Sequence, residues 1–241
     1  MNEGDEMFGM RENGELDPFR YDGHLDAPQG VARMLADLVP VGARVLDVGC
    51  GTGSVSRIIA GSRNAKIIGI EPNSRRAAAA RARGLEVYEE RFTPAVLQLL
   101  EPFDVILFAD VLEHVADPGS FLQFARHGLL PGGRVVASVP NVAHWSLRLD
   151  LLCGRFDYHP VGIRDATHLR WFTADTVRSL FETNGLRVIS LQHTAGVMSQ
   201  DYYRRPWRWI PRVVRDSIVR ALARRLPLLF GYQHIIHVIP A

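Results

Sequence analysis

Three glycines and an aspartate form the stretch of this chain with the clearest chemical content. Asp47 lies in an apolar run that leads into Gly49, Gly51 and Gly53, and a helical pattern begins directly after them. Glycine lets a turn adopt positive φ and brings bare backbone N–H groups close to a ligand, while a helix N-terminus presents unpaired donors. These residues therefore predict a binding site of nucleotide size at the end of a buried strand.

The spacing of these glycines differs from that of the dinucleotide fingerprint. The fingerprint is Gly-x-Gly-x-x-Gly, whereas this chain has Gly-x-Gly-x-Gly from Gly49 to Gly53, with Asp47 before the first glycine. Both features resemble motif I of the class I S-adenosylmethionine (SAM)-dependent methyltransferases. The resemblance implies SAM as the methyl donor and S-adenosylhomocysteine as the product. A glycine-rich turn that only connects a strand to a helix is the alternative.

The elements around this motif indicate an α/β fold. Apolar strand-like segments alternate with helical ones, which predicts right-handed βαβ units and a parallel sheet, and residues 131–133 suggest a turn. The resemblance implies a Rossmann-like, seven-stranded, mostly parallel sheet with helices on both faces, in which the seventh strand inserts antiparallel. The predicted strands are 44–49, 66–71, 86–90, 103–109, 134–139, 187–192 and 234–239. The predicted helices are 27–38, 54–60, 74–83, 94–100, 118–127 and 174–183.

Length and composition favour one domain in a reducing compartment. We expect a flexible leader over 1–24 and a single methyltransferase domain over 25–241. The two cysteines, Cys50 and Cys153, provide neither a disulfide framework nor paired-cysteine zinc spacing. No signal-peptide pattern opens the chain, and no apolar run approaches the ~18 residues of a membrane span. We therefore expect a cytoplasmic protein without a transmembrane segment.

Residues at the carboxyl ends of the strands complete the expected SAM site, because ligands bind at that edge of an open α/β sheet. Glu71 ends the second strand, where the resemblance implies a carboxylate that binds the ribose hydroxyls; the alternative is a favourable charge at a helix N-terminus. Glu90 and Phe92 follow the third strand, where such enzymes place groups near the adenine. Asp110 ends the fourth strand and is expected to face the methionine part of the cofactor.

The acceptor side of the site is predicted after the fifth strand. Residues 141–170 interrupt the alternation, and we expect this insertion to form a lid over the acceptor. In methyl transfer the protein mainly aligns the nucleophile and removes its proton. His144 follows the fifth strand, and a neutral imidazole can take a proton from a hydroxyl. We therefore predict His144 as the general base.

Further polar and aromatic residues are expected to contact the acceptor, because rings with polar tips suit sugars and aromatic compounds. For Tyr21, His114 and Trp145 the structural alternative is packing. For Asp165 and His168 it is a buried hydrogen-bonded pair. The residues are Tyr21, His114, Trp145, Asp165 and His168. A divalent cation that binds two acceptor hydroxyls is a further alternative, although no compact ligand motif indicates a metal site. Its ligands would be Asp110, His144, Asp165 and His168.

A basic helical segment occupies residues 200–227. Between Arg204 and Arg225 there are eight arginines and one acidic residue, with apolar residues at helical spacing. Three uses stay open: a solvated face over a core contact, a partner or homodimer surface, and attachment to an anionic membrane or polymer. Nucleic acid is not expected as a partner, because neither a broad basic footprint nor an RNA-binding module is evident.

The sequence as a whole predicts a SAM-dependent O-methyltransferase that acts on a small-molecule or oligosaccharide acceptor. A saccharide is the first expectation for that acceptor, and a phenol or quinone is the second. N-methylation and a SAM-binding partner subunit without its own chemistry are the remaining alternatives.

Overall fold

A computed structural model of the chain describes residues 17, 19–21, 30–203 and 207–241. The strands are β1 (Arg44–Val48), β2 (Lys66–Ile70), β3 (Glu86–Tyr88), β4 (Phe103–Ala109), β5 (Leu129–Pro140), β6 (Leu186–His193) and β7 (Gln233–Pro240). They form one seven-stranded sheet in the order β3-β2-β1-β4-β5-β7-β6. Strands β1 to β5 pair in parallel, whereas β7 is antiparallel to both β5 and β6. The predicted sheet, including its antiparallel seventh strand, is confirmed.

Helices connect these strands in the order that the sequence predicts. The helices of the described ranges are α1 (Val31–Asp37), α2 (Ser54–Arg63), α3 (Ser74–Ala82), α4 (Pro94–Gln98), α5 (Pro118–His127), α6 (Trp145–Leu152), α7 (Ala174–Thr183), α8 (Arg212–Arg225) and α9 (Pro227–Phe230). Short 3-10 turns occur at Leu112–His114, Gln200–Tyr203 and Trp207–Trp209. Within the described ranges, no helix has the length and apolar content that crossing a membrane requires.

The central strands are covered on both faces, which explains their continuous apolar sequences. Leu46 and Ile106 belong to one buried cluster, whereas Val45 and Val105 belong to another. Side chains of successive strand residues point to opposite faces, so the two clusters lie on opposite sides of the sheet. This core fixes where β1 and β4 end along the sheet, and therefore the position of the loops that follow them.

Two segments differ from the predicted elements. The predicted turn at 131–133 lies inside the assigned strand β5, where the pairing with β4 shifts register between Phe103 and Val105. Helix α6 forms within the insertion that the sequence left irregular. Most of the predicted leader, and the beginning of the predicted 27–38 helix, lie outside the described residues.

Candidate active site

A cavity of about 1010 Å³ lies at the carboxyl ends of the parallel strands. Its wall includes residues that end β1, β2 and β4, namely Val48, Ile70 and Ala109, together with the residues that follow them. Small-molecule sites typically occupy roughly 300–1,000 Å³, so this cavity is at the upper end of that range. The chain therefore has one large ligand-sized space at the edge of the sheet where the sequence predicts it.

The three motif glycines have different tasks. A Cβ added at Gly51 would meet no atom within 4 Å, and Gly51 lines the cavity, so its main chain is open to a ligand. A Cβ at Gly53 would lie 2.1 Å from Cδ1 of Leu85, and Gly53 is not part of the cavity wall. Packing against Leu85 therefore accounts for a glycine at position 53, and the cofactor contact of Gly53 stays a prediction. Gly49 combines both properties, since it lines the cavity while its Cβ would lie 2.9 Å from Val111.

Glu71 is buried at the end of β2 and faces the glycine loop. Its Oε2 accepts a hydrogen bond from the N–H of Gly51 at 2.9 Å, and its Oε1 accepts one from the N–H of Asn73 at 2.8 Å. Each carboxylate oxygen has a second lone pair. Glu71 therefore stiffens the loop and keeps acceptor capacity for two ligand hydroxyls, as its predicted role requires.

Two other predicted cofactor residues lie outside the cavity wall. Asp47 is buried beneath the glycine loop, where its Oδ2 accepts a hydrogen bond from Ser56, and burial raises the pKa of Asp47 to about 7. Glu90 is exposed, whereas the nearby Phe92 is buried and lines the cavity. Strand β3 ends at Tyr88, two residues earlier than predicted, so Glu90 lies in the following loop.

Asp110 lies in the cavity wall, as predicted, and ties three strands together. Its Oδ1 accepts a hydrogen bond from Ser138 of β5 at 2.7 Å, and its Oδ2 accepts one from Gln233 of β7 at 2.8 Å. Its φ of 53° is in the left-handed region that non-glycine residues rarely adopt. Burial raises the pKa of Asp110, and the bonds from Ser138 and Gln233 oppose that rise.

The predicted general base, His144, lies in the wrong place for that role. It is fully buried and absent from the cavity wall, and its Nδ1 and Nε2 lie 2.8 Å from Ser146 Oγ and 3.2 Å from Tyr202 Oη. The chain turns away from the cavity at Asn141 and enters α6, so His144 packs behind the ring of Tyr232. The prediction that His144 faces the acceptor is therefore contradicted.

Trp145 also lies outside the cavity wall, because it belongs to the same segment as His144. Its Nε1 donates to Tyr202 Oη at 3.1 Å, and its ring packs against Trp207 and Phe230, away from the cavity wall. The aromatic residues of this segment therefore join α6 to the 200–230 region. They do not form the predicted acceptor contact.

A cluster of Glu113, His114 and His168 forms another part of the cavity wall. One ligand atom from each of these residues lies within 4.8 Å of the others. Glu113 is buried, and neither of its carboxylate oxygens has a hydrogen-bond partner among the described residues. Two of the three, His114 and His168, belong to the predicted acceptor residues, but Glu113 does not.

The hydrogen bonds of the two histidines define which ring nitrogen is free. His114 Nδ1 lies 3.2 Å from the carbonyl oxygen of Thr167, and His168 Nδ1 lies 3.0 Å from that of Ile163. A carbonyl oxygen only accepts, so each Nδ1 carries the proton and each Nε2 keeps its lone pair. This arrangement is the one that metal-binding histidines usually have.

Burial sets the protonation of this cluster. It lowers the pKa of His114 and lowers that of His168 to about 4, where the charge of His114 acts in the same direction. It also raises the pKa of Glu113 well above its usual value. Both imidazoles are therefore neutral near pH 7 and are able to take a proton or bind a cation.

Tyr21 and Asp165 also line the cavity, as predicted. The hydroxyl of Tyr21 donates to Asp165 Oδ2, while the N–H and hydroxyl of Thr167 donate to Oδ1 at 2.8 and 2.6 Å. Although burial acts to raise it, these bonds hold the pKa of Asp165 below its usual value. The side chain of His168 bonds to Ile163, so Asp165 and His168 are paired through the main chain instead, where the N–H of His168 donates to the carbonyl oxygen of Asp165 at 3.0 Å.

The side chains suited to a cation differ from the predicted set. Within the described ranges, the group close enough to hold a metal ion is Glu113, His114 and His168. Asp110 and Asp165 already accept hydrogen bonds from protein donors, and His144 lies outside the cavity. The sequence feature that indicates this group is the adjacent pair Glu113 and His114, an acid and a histidine that follow β4.

The sheet order and the cavity at its carboxyl edge define an α/β protein that binds a nucleoside-like ligand. Residues 19–191 match the family described as "Methyltransferase domain". A crystal structure of a SAM dependent methyltransferase from Archaeoglobus fulgidus has the same fold, with a TM-score of 0.62 and 16% identity over 91% of this chain and 96% of that one. The chain belongs to the class I SAM-dependent methyltransferase family.

Two relatives carry the name "Ubiquinone biosynthesis O-methyltransferase". The protein from Nitrobacter winogradskyi is 33% identical over 153 residues, which are 61% of this chain and 58% of that protein. The protein from Ruegeria pomeroyi is 31% identical over 188 residues, 72% of this chain and 73% of that protein. The match to the Nitrobacter protein thus spans less than two thirds of its length.

Proposed function

We propose that the chain transfers the methyl group of SAM to a phenolic or quinol hydroxyl of a quinone-type compound. The observation that carries this proposal is a single cavity lined both by the glycine loop with Glu71 and by the cluster of Glu113, His114 and His168. The names of the relatives support a quinone-type acceptor. They do not support the saccharide that the sequence analysis placed first.

The residues on the loop side fit a nucleoside that carries an amino-acid chain. The open space at Gly51 leaves its main chain accessible, and Glu71 has lone pairs for both hydroxyls of a ribose. Phe92 adds an apolar ring surface to the same wall. When bound, SAM supplies an activated methyl group on a sulfonium.

The residues on the acceptor side fit a hydroxyl that has to lose its proton. His114 is neutral, lines the cavity and has its Nε2 lone pair free, so it accepts the hydroxyl proton as general base. The apolar rings of Phe121 and Phe124 in the wall suit an aromatic acceptor. The same cluster also suits a divalent cation, which when bound supplies a charge that lowers the pKa of an acceptor hydroxyl.

The test is product formation with three classes of acceptor. The protein is incubated with SAM and, separately, with an alkyl-substituted dihydroxybenzene, a saccharide and a primary amine, and S-adenosylhomocysteine and the methylated product are measured by mass. We expect product with the dihydroxybenzene only. Product with the saccharide or amine alone overturns the acceptor class, and SAM binding without any product supports the non-catalytic subunit instead.

A chelator separates the two ways of activating the hydroxyl. Turnover that survives exhaustive treatment with a chelator supports His114 acting alone. Loss of turnover that returns on adding Mg²⁺ or Zn²⁺ assigns the cluster to a cation.

A further inference from the structure

The outer face of α8 has an unusual combination of exposed aliphatic and arginine side chains. Arg215, Val219 and Ala223 repeat every four residues and are buried against the rest of the molecule. Val213 and Val214 lie on the opposite half of the helix, where Val213 is 79% exposed and Val214 is 50% exposed. A solvated helix face normally carries polar residues, so this face does not have the composition of a surface that only meets water.

Four arginines of this region have no acidic partner among the residues that the structure describes. Arg215 pairs with Asp216, the one acidic residue of α8, and donates to the carbonyl of Tyr202 at 3.0 Å, which fixes the helix to the body. No ion pair is formed between any described acidic residue and the other arginines except Arg212, which lies 3.8 Å from Asp216. The remaining four are Arg208, Arg220, Arg224 and Arg225.

Charge is concentrated in this segment. Residues 207–228 contain six arginines and one aspartate, a net charge of +5, whereas the whole chain has a net charge of +2. The rest of the chain therefore carries a net charge of −3. A molecule with this distribution presents one positive face to its surroundings.

We propose that this outer face binds the surface of an anionic lipid bilayer. The surface, here called the basic apolar face, consists of Val213, Val214, Ile218, Arg220, Arg224 and Arg225 of α8, together with the exposed Arg208 and Trp209 of the 3-10 turn that precedes it. Guanidinium groups bind lipid phosphates while their aliphatic stems, the exposed valines and Ile218 enter the boundary between headgroups and acyl chains. Trp209, which is 65% exposed, has the amphipathic ring that is enriched at that depth.

The composition of the face favours a membrane over other polyanions. A nucleic-acid backbone is contacted by cations and polar groups, and aliphatic side chains between the arginines contribute nothing to such contacts. An interfacial helix needs both components on one side, which is what Val213, Ile218 and the neighbouring arginines provide. This inference does not depend on which acceptor the enzyme methylates.

The experiment is sedimentation of the full chain with vesicles of phosphatidylcholine, with and without phosphatidylserine, at low and high salt. Wild type is expected to bind the anionic vesicles and to lose that binding at high salt, because salt screens the phosphates. A charge-reversal variant is expected to bind these vesicles at least about tenfold more weakly than wild type. Its changes are Arg220→Glu, Arg224→Glu and Arg225→Glu. An apolar-to-polar variant is expected to bind the anionic vesicles more weakly than wild type at low salt, because its arginines remain but its apolar contact is lost. Its changes are Val213→Ser, Val214→Ser and Ile218→Ser.

A matched variant controls for net charge. It reverses three exposed arginines elsewhere and is expected to bind vesicles as wild type does. Its changes are Arg33→Glu, Arg57→Glu and Arg187→Glu. SAM affinity, measured on every variant, shows that each one is folded and tests the proposed function separately.

Three results would overturn the proposal. They are a wild type that does not bind anionic vesicles, a charge-reversal variant that binds like wild type, and a control that loses binding to the same extent. Concentration-dependent dimerisation that only the apolar-to-polar variant loses, without vesicle binding, would assign the face to a second copy of the chain.

Discussion

The main-chain N–H of Gly51 donates a hydrogen bond to Oε2 of Glu71 at 2.9 Å, and this bond joins the loop after β1 to the end of β2. Replacing Glu71 with Gln turns one acceptor into a donor, which cannot face a backbone N–H or accept from a ribose hydroxyl. Hydrogen bonds to charged groups contribute about 1.5–3 kcal/mol, so we expect SAM affinity to fall by roughly tenfold or more.

Isothermal titration measures this loss, and Glu90→Gln is the matched control. Glu90 is exposed and outside the cavity wall, so its variant should bind SAM as wild type does. Equal losses in the two variants would contradict the assignment of the ribose site to Glu71.

Alanine at Gly51 and at Gly53 should have different effects. Both residues have positive φ, so each change strains the backbone by about 1–2 kcal/mol. Only the new methyl group at position 53 collides with Leu85, which adds about 1–3 kcal/mol of overpacking. We therefore expect Gly53→Ala to lower the free energy of unfolding more, and Gly51→Ala to lower SAM affinity more.

A double-mutant cycle checks the collision at Gly53. Leu85→Ala removes the atom that the new Cβ meets. In that background Gly53→Ala should cost less stability than it does in the wild type. Additive losses in urea unfolding would show that the collision is not the cause.

Removal of the His114 imidazole should reduce turnover while SAM still binds. His114→Ala deletes the proposed base, and general bases contribute roughly 10²–10⁴ in rate. The measurement is the initial rate of S-adenosylhomocysteine formation with a dihydroxybenzene acceptor, together with a SAM titration. Unchanged turnover in a folded His114→Ala protein would exclude the base role.

His144 should affect stability, and with a defined dependence on pH. Burial lowers its pKa to about 4, so the folded state favours the neutral imidazole. This contribution is complete above the ordinary pKa of about 6.5 and is lost as pH falls towards 4, at up to about 1.4 kcal/mol per pH unit. The stability advantage of wild type over His144→Asn, measured by urea unfolding, should therefore shrink from pH 7 to pH 5. A difference that does not change with pH would contradict this.

The contribution of Asp47 to stability should change with pH in the direction opposite to that of His144. Burial, with a smaller contribution from the charge of Glu71, raises its pKa to about 7. The folded state then holds a proton that the unfolded chain has released, so wild type loses stability as pH rises from about 4 to about 7. Asp47→Asn carries no such proton. Its stability relative to wild type should rise over this interval and level off above it; a flat profile in urea unfolding would refute the protonated state.

The sheet and half of the site follow from local sequence. The strand Phe103–Ala109 has the predicted bounds because its apolar stretch 105–109 is typical of a strand that is buried on both faces of a parallel sheet. Glu71 was located because its position depends only on where β2 ends. Strand β2 pairs with a neighbour on each side, which sets its end, whereas the edge strand β3 has one neighbour and ends two residues earlier than predicted.

The acceptor side was less predictable because it depends on where irregular segments turn. His144 was assigned to the cavity on its place after β5, but Asn141 binds the carbonyl of Gly231 at 2.8 Å and directs the chain away from the cavity. Glu113 is not among the site residues that the sequence predicts, since no pattern in the sequence shows that a three-residue 3-10 turn buries its carboxylate in the cavity wall. Contacts between segments far apart in the chain decided both outcomes.

The bond between Asp110 and Gln233 has a consequence for biosynthesis. Tyr232 and Gln233 supply part of the cavity wall, and β7 lies between β5 and the edge strand β6. A nascent chain that has released only its first five strands lacks that wall, so it has no complete ligand site. SAM therefore meets the complete cavity wall only after β7 has joined the sheet.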